Sequence, residues 1–176
     1  MQVRILPETP TDSESKIMKE IERKFLVLVD KLPNLVPNYQ AITQAYMHEA
    51  DPMTRIRIAH SIQYNSGSIQ KAYITLKGIG LLERDEIEFD MPVEKAKEAI
   101  RLWSKCSISK LRYEHIENDT KWEIDFFSGP LEGLVIAEVE LESTDQEFIT
   151  PEWIGREVTN DPDYTNVKLA QNGMPY

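Results

Sequence analysis

Alternation of charged and apolar side chains with period two, repeated segment after segment, constrains this chain more than any other feature. It begins at Glu20-Ile21-Glu22-Arg23-Lys24-Phe25. Successive side chains of an extended strand point to opposite faces, so Glu20, Glu22 and Lys24 share one face while Ile21, Phe25 and Val27 share the other. The pattern returns at Arg55/Arg57, Lys77, Arg84/Glu86/Glu88, Lys110/Arg112, Glu123/Asp125 and Glu138/Glu140. One such strand is what any half-exposed antiparallel sheet shows. A whole series leaves two arrangements. Either the charges face water and the aliphatic faces fill a barrel, or the charges line a lumen and the apolar faces look outward beneath helices.

The punctuation of the chain supports many short strands. After the first strand, residues 31–38 carry two prolines and two asparagines and form a loop. Strands are predicted over 41–50, interrupted by Asp51-Pro52, then over 54–58 and 72–77 with a hairpin signal at Asn65-Ser66-Gly67. Gly78-Ile79-Gly80 marks a break before 83–89. Further strands are predicted over 107–116 and 121–127, joined by a polar turn at 117–120, and over 134–142. Ala96, Ala99, Ile100 and Trp103 recur at helical spacing after Pro92. Thr144 with Glu147 resembles a capping box, which predicts a short helix through Phe148. A last helical piece is predicted from about Tyr164 to Ala170. No βαβ alternation runs through the chain, so the expected class is α+β and mainly β: an antiparallel sheet or barrel with helices added outside. Residues 1–17 are expected to form a loosely ordered leader and 18–176 a single domain.

With 20 basic and 30 acidic residues the formal net charge is −10, which argues against general binding to nucleic acid or to anionic membranes. No apolar run is long enough to span a bilayer, and the N-terminal stretch lacks an export signal, so the expected compartment is cytoplasmic. The single cysteine, Cys106, can form no intrachain disulfide. His48, His60 and His115 form no close metal-ligand pair.

Were the charges inside, their burial would be costly unless each was paired or bound something. Clustered Arg and Lys suit phosphate oxygens, Arg as a fork and Lys as a point charge. The carboxylates would repel that ligand unless they held hard divalent cations. A lumen with both kinds of wall therefore suits a metal-bound polyphosphate, and phosphoryl transfer needs mainly positioning and charge stabilisation.

Glu20-x-Glu22-x-Lys24 resembles the ExExK signature of the CYTH, or triphosphate tunnel metalloenzyme, superfamily. Similarity to its bacterial branch continues in order through Gln44-Ala45-Tyr46, Arg55-Ile56-Arg57, Thr75-Leu76-Lys77, Arg84-x-Glu86-x-Glu88, Lys110-x-Arg112-Tyr113, Trp122-Glu123-Ile124-Asp125 and Ala137-Glu138-Val139-Glu140. Ala45 stands where many relatives have glycine. The resemblance implies an eight-stranded antiparallel β-barrel, the triphosphate tunnel, with helices packed outside. It implies Lys24, Arg55, Arg57, Lys77, Arg84, Lys110 and Arg112 as phosphate contacts. Glu20, Glu22, Glu138 and Glu140 would be the leading ligands of two Mg²⁺ or Mn²⁺ ions, with Glu86, Glu88 and Asp125 as further candidates. Lys24 and Tyr46 match a lysine–tyrosine dyad and join Glu22 and Glu140 as catalytic candidates. The implied activity is hydrolysis of inorganic tripolyphosphate or an organic triphosphate such as thiamine triphosphate. The alternatives are an adenylate cyclase and a non-catalytic triphosphate-binding protein. The partner is a small-molecule triphosphate, without nucleic acid or membrane, and the resemblance allows a homodimer.

Overall fold

The computed structural model describes residues 18–47, 54–63 and 67–175. The expected leader, His48 and the hairpin tip at Asn65-Ser66 lie outside them. The strands are β1 (Met18–Val27), β2 (Tyr39–Tyr46), β3 (Thr54–Gln63), β4 (Gly67–Lys77), β5 (Glu83–Met91), β6 (Cys106–Glu117), β7 (Thr120–Phe127), β8 (Val135–Glu140) and β9 (Ile154–Glu157). The helices are α1 (Val93–Trp103) and α2 (Asn166–Asn172).

All pairings are antiparallel. The order runs β5-β4-β3-β2-β6-β7-β8-β1, and β1 pairs back onto β5 through Met18↔Glu86 to Ile21↔Glu83, which closes an eight-stranded barrel. Closure leaves no long unpaired edge. The predicted polar turn between β6 and β7 is a two-residue hairpin loop, in which Asn118 and Asp119 take φ of 51° and 58°. Both residue types tolerate this left-handed conformation, and the resulting twist matches that of the strands.

Closure also decides which of the two arrangements applies. The apolar faces look outward and are covered in two places. Ile21, Phe25, Trp122, Ile124, Ala137 and Val139 pack under the segment that carries Phe148 and Trp153. On the other flank, α1 lays Ala96 and Ala99 against Ile56 and Ala72. Trp103, expected to complete that helical stripe, is the last residue of α1 and is 61% exposed.

Two further expectations change. No helix forms over 144–148. The Glu142 amide instead donates to Gln146 Oε1 at 2.7 Å, and Phe148 sets its ring edge-on to Phe25 and Trp122, so apolar docking of the segment prevails over the local capping signal. The sequence reading also contained no β9. This short strand pairs with the end of β1, where a Cβ at Gly155 would stand 2.9 Å from the Leu26 carbonyl oxygen, so the close approach requires glycine.

The barrel is sealed at one end. Ile108, Phe127 and Ile136 alternate in phase with the charged inward positions of β6, β7 and β8, and pack under Leu131, Leu134, Val158, Tyr164 and Leu169 of α2. Among the described residues no helix is long and apolar enough to cross a membrane.

Because Leu169 is 1% exposed within this plug, Leu169→Ala is expected to lower unfolding stability by about 2–5 kcal/mol. Leu102→Ala on the exposed side of α1 is expected to change it by roughly 0.5 kcal/mol or less. Denaturant unfolding of the two variants checks this.

Candidate active site

Among the described residues the inward positions include seven cations (Lys24, Arg55, Arg57, Lys77, Arg84, Lys110 and Arg112) and eight carboxylates (Glu20, Glu22, Glu86, Glu88, Glu123, Asp125, Glu138 and Glu140), and Lys71 lines the same cavity. They form two layers, one on each side of the lumen.

The layer on β6, β7, β8 and β1 is a continuous chain of ion pairs. Asp125, fully buried, accepts from Lys110 Nζ and from Arg112 Nε at 2.7 Å and Nη2 at 2.6 Å. Arg112 also reaches Glu123 and Glu138. Glu138 shares the Lys24 ammonium with Glu22, which stands 2.5 Å from it. The cross-strand pairs Arg112↔Asp125, Glu123↔Glu138 and Lys24↔Glu138 make these contacts unavoidable once the register is set.

The other layer belongs to β1, β3, β4 and β5. Lys77 lies 2.5 Å from Glu20 and 2.6 Å from Glu86, and Arg84 donates to Glu20 at 2.8 Å and to Glu22 at 3.2 Å. Arg57 Nη2 and Thr75 Oγ1 both donate to Glu88 Oε1, at 2.5 and 2.9 Å. Among the described residues the one ion-pair partner of Arg55 is Glu86, at 3.8 Å, and its guanidinium also engages the Tyr46 hydroxyl.

Burial and charge move the titrations in ways the layers explain. Burial works against the Glu138 carboxylate, yet Lys24, Arg112 and Lys110 outweigh it and hold the group well below the usual range. Burial likewise opposes the Lys24 ammonium, but Glu138 and Glu22 raise it above an ordinary lysine. Lys77 and Lys110 are pushed down, first by burial and then by the neighbouring guanidiniums of Arg55 and Arg112. Tyr46 is pushed up to about 12 by burial, with Arg55, to which its hydroxyl is hydrogen-bonded, acting against the shift. Glu140 is raised by burial and by Glu123, Glu20 and Glu22.

Together these walls enclose a cavity of about 580 Å³. Of the expected phosphate contacts, Arg55, Arg57, Lys77, Arg84 and Arg112 line it. Lys110, 2% exposed, lies beneath it with Asp125, and Lys24 and Tyr46 also sit in the wall rather than on its surface. Glu20, Glu22, Glu86, Glu88, Glu138 and Glu140 all line the cavity. Lys24 and Tyr46 are separately engaged: the ammonium with Glu22 and Glu138, the phenol with Arg55. The expected site set omitted Glu123, although its alternation with Asp125 marked it as inward. It also omitted Gln44, Tyr73 and Asn166, which line the cavity without a charge to signal them. His60 and His115 stand on the outward face of their strands.

Among the described residues no group of three or more His, Cys, Asp or Glu side chains is already arranged around a common metal position. Most inward carboxylates are turned toward Arg or Lys. The surplus negative charge around Glu140 nevertheless fits a hard divalent cation, which would relieve the repulsion from Glu20, Glu22 and Glu123. Glu20, Glu22, Glu138 and Glu140 are the residues that would hold it.

A closed barrel, plugged at one end, with cations and carboxylates lining one cavity defines a class of protein. A family model described as the CYTH domain matches residues 18–168, and the chain belongs to that family. It is 39% identical over 160 residues to an inorganic triphosphatase of Acetivibrio thermocellus, covering 90% of this chain and 96% of that one. An inorganic triphosphatase of Nitrosomonas europaea is 33% identical over 160 residues, covering 87% and 97%. A crystal structure of an inorganic triphosphatase superposes with a TM-score of 0.61 at 29% identity, covering 89% of this chain and 97% of the other. Triphosphatases of this family are metal-dependent.

Asp125→Asn leaves the buried Lys110 without its carboxylate and takes one of three from Arg112, and is expected to destabilise the fold by about 3–5 kcal/mol, read from denaturant unfolding. Acid unfolding provides a second check. A carboxyl whose folded pKa is depressed contributes stability above its ordinary pKa, and this is lost as pH falls through the depressed value. Lys24→Met removes the strongest charge holding Glu138 down, so its acid unfolding, followed by circular dichroism, should begin at higher pH than that of the wild type.

Proposed function

We propose that this chain is a divalent-metal-dependent triphosphatase that hydrolyses inorganic tripolyphosphate, with Mg²⁺ or Mn²⁺ as the ion. The observation that carries the reading is the division of the cavity wall: Arg55, Arg57, Lys77, Arg84 and Arg112 on the same surface as the surplus carboxylates around Glu140. Cations alone would suit a phosphate-binding protein. A carboxylate cluster facing them is explained by a metal-bound polyphosphate.

In the reaction a water oxygen bonds to the terminal phosphorus and the bridging P–O bond breaks, giving phosphate and pyrophosphate. When bound, the metal supplies charge neutralisation and polarises water. The side chains do the rest. Arg57 and Arg84 exchange a carboxylate partner for phosphate oxygens, and Arg55 reaches a phosphate oxygen without giving up a close ion pair. Lys24 keeps its proton between Glu22 and Glu138 and acts as a fixed positive charge close to the developing charge. The apolar plug excludes water from behind.

Phosphate release should be fastest from tripolyphosphate, compared with ATP and thiamine triphosphate, and should stop with chelator. Cyclic AMP formed from ATP while tripolyphosphate stays intact would overturn the reading. Glu140→Gln separates stability from activity. Neutralising a carboxyl that is already repelled should leave the melting temperature equal or higher, while turnover falls on the order of 100-fold or more, as for loss of one electrostatic partner of the transition state.

A further inference from the structure

The cavity is blind, and its inner corner differs electrically from the rest of the wall. Ile108, Phe127 and Ile136 face inward beneath the charged layers and are nearly fully buried, so nothing longer than the cavity can pass through. Gln44 pairs with Ile108 across β2 and β6, which places it beside this floor. It is 2% exposed and lines the cavity, and its Oε1 has no hydrogen-bond partner among the described residues. A buried amide oxygen without a partner is costly and calls for an explanation.

Its neighbours supply one. Gln44 faces Arg57 across β2 and β3, and Arg55 is the next inward residue along β3. The Nε of each arginine is buried without a hydrogen-bond partner among the described residues. Arg55 stands 3.8 Å from its carboxylate, whereas Lys24, Arg57, Lys77, Arg84, Lys110 and Arg112 each have a carboxylate oxygen within 2.8 Å. The corner therefore holds unused donors and under-neutralised positive charge, while the surplus carboxylates gather around Glu140 on β8. A Gln side chain presents either its oxygen or its NH₂ by a half-turn of the amide, so it can donate to an anion in the corner.

We infer that the substrate enters end-on, with an unesterified terminal phosphate seated on Gln44, Arg55 and Arg57, and that Gln44 is a specificity-determining residue for that free end. This rests on the triphosphatase reading and narrows it. A terminal phosphate brings three non-bridging oxygens into the corner, enough to engage both arginines and the amide. A phosphate esterified at that end would drive its organic group into the apolar floor, where no room remains. A triphosphate esterified at both ends therefore cannot seat either way round, and a long polyphosphate is shortened only from its ends.

Calorimetric binding to the wild-type protein tests this independently of turnover. Tripolyphosphate should bind, and a triphosphate carrying a nucleoside on each end should bind at least about 100-fold more weakly. Comparable binding of the two, or no binding of either, overturns the proposal. Gln44→Met keeps the volume and removes an unpartnered polar atom, so its melting temperature should hold while its affinity for tripolyphosphate falls about tenfold. An unchanged affinity in a folded Gln44→Met protein removes Gln44 from the site. With metal and long-chain polyphosphate, the wild type should release single phosphates, and mid-chain fragments would overturn end-on entry. Binding that follows the expected order without any hydrolysis would instead sink the triphosphatase reading and leave the seating intact.

Discussion

Charge inside a closed barrel must be met by opposite charge within a few ångströms, and the rest of this structure follows from that requirement. An ion leaves water for the interior at a cost of several kcal/mol, which is recovered only by close, well-oriented partners. The Lys110, Asp125, Arg112, Glu138, Lys24, Glu22 chain meets the demand across four neighbouring strands, β6, β7, β8 and β1. It also fixes register. A slip of one residue would carry every charge to the outer face and every Ile, Val and Trp into the lumen. Such pairs contribute less to stability than an apolar layer of the same volume could, so their consequence lies in preorganisation. The guanidinium of Arg112 is held by three carboxylates before any ligand arrives.

Face was legible in the sequence and depth was not. Alternation alone placed Glu20, Arg57 and Lys110 on the charged faces of their strands, because period two is a property of the strand itself, and the closed barrel turns those faces inward. It could not say that Lys110 and Asp125 lie beneath the cavity surface while Arg112, two residues from Lys110, lies on it. That distinction depends on where each strand sits along the barrel axis, which the register of the neighbouring strands decides. Gln44, although part of the matching Gln44-Ala45-Tyr46 stretch, was not among the expected site residues because a neutral amide among charged neighbours carries no charge pattern. Asn166 enters the wall from α2, far away in sequence. At 144–148 the capping signal was local and real, but Phe148 gained more from the edges of Phe25 and Trp122 than a single helical turn offers.

A protein of net charge −10 is an unpromising receptor for a polyanion, and the cavity resolves this by arrangement rather than by total charge. Its cations are enclosed by low-dielectric walls, where their field is concentrated. Its surplus carboxylates weaken the hold on a bare polyphosphate without cancelling it. On the triphosphatase reading they select the metal complex, in which much of the phosphate charge is already neutralised.

Proton chemistry is the remaining question for such a site, and the wall residues argue against a protein base at the lysine–tyrosine pair. Lys24 lies above an ordinary lysine because Glu138 and Glu22 hold its proton, and Tyr46 at about 12 is far from ionised near neutrality. A base must be deprotonated at the working pH, so neither group can accept a proton from water there. What they offer is fixed charge and geometry: Lys24 as a permanent cation, and Tyr46 through its hydrogen bond to Arg55. In a triphosphatase built this way, a divalent ion held by Glu20, Glu22, Glu138 and Glu140 would supply the polarisation of water, and the barrel's contribution is to hold the phosphates still in a field already shaped for the charge that develops.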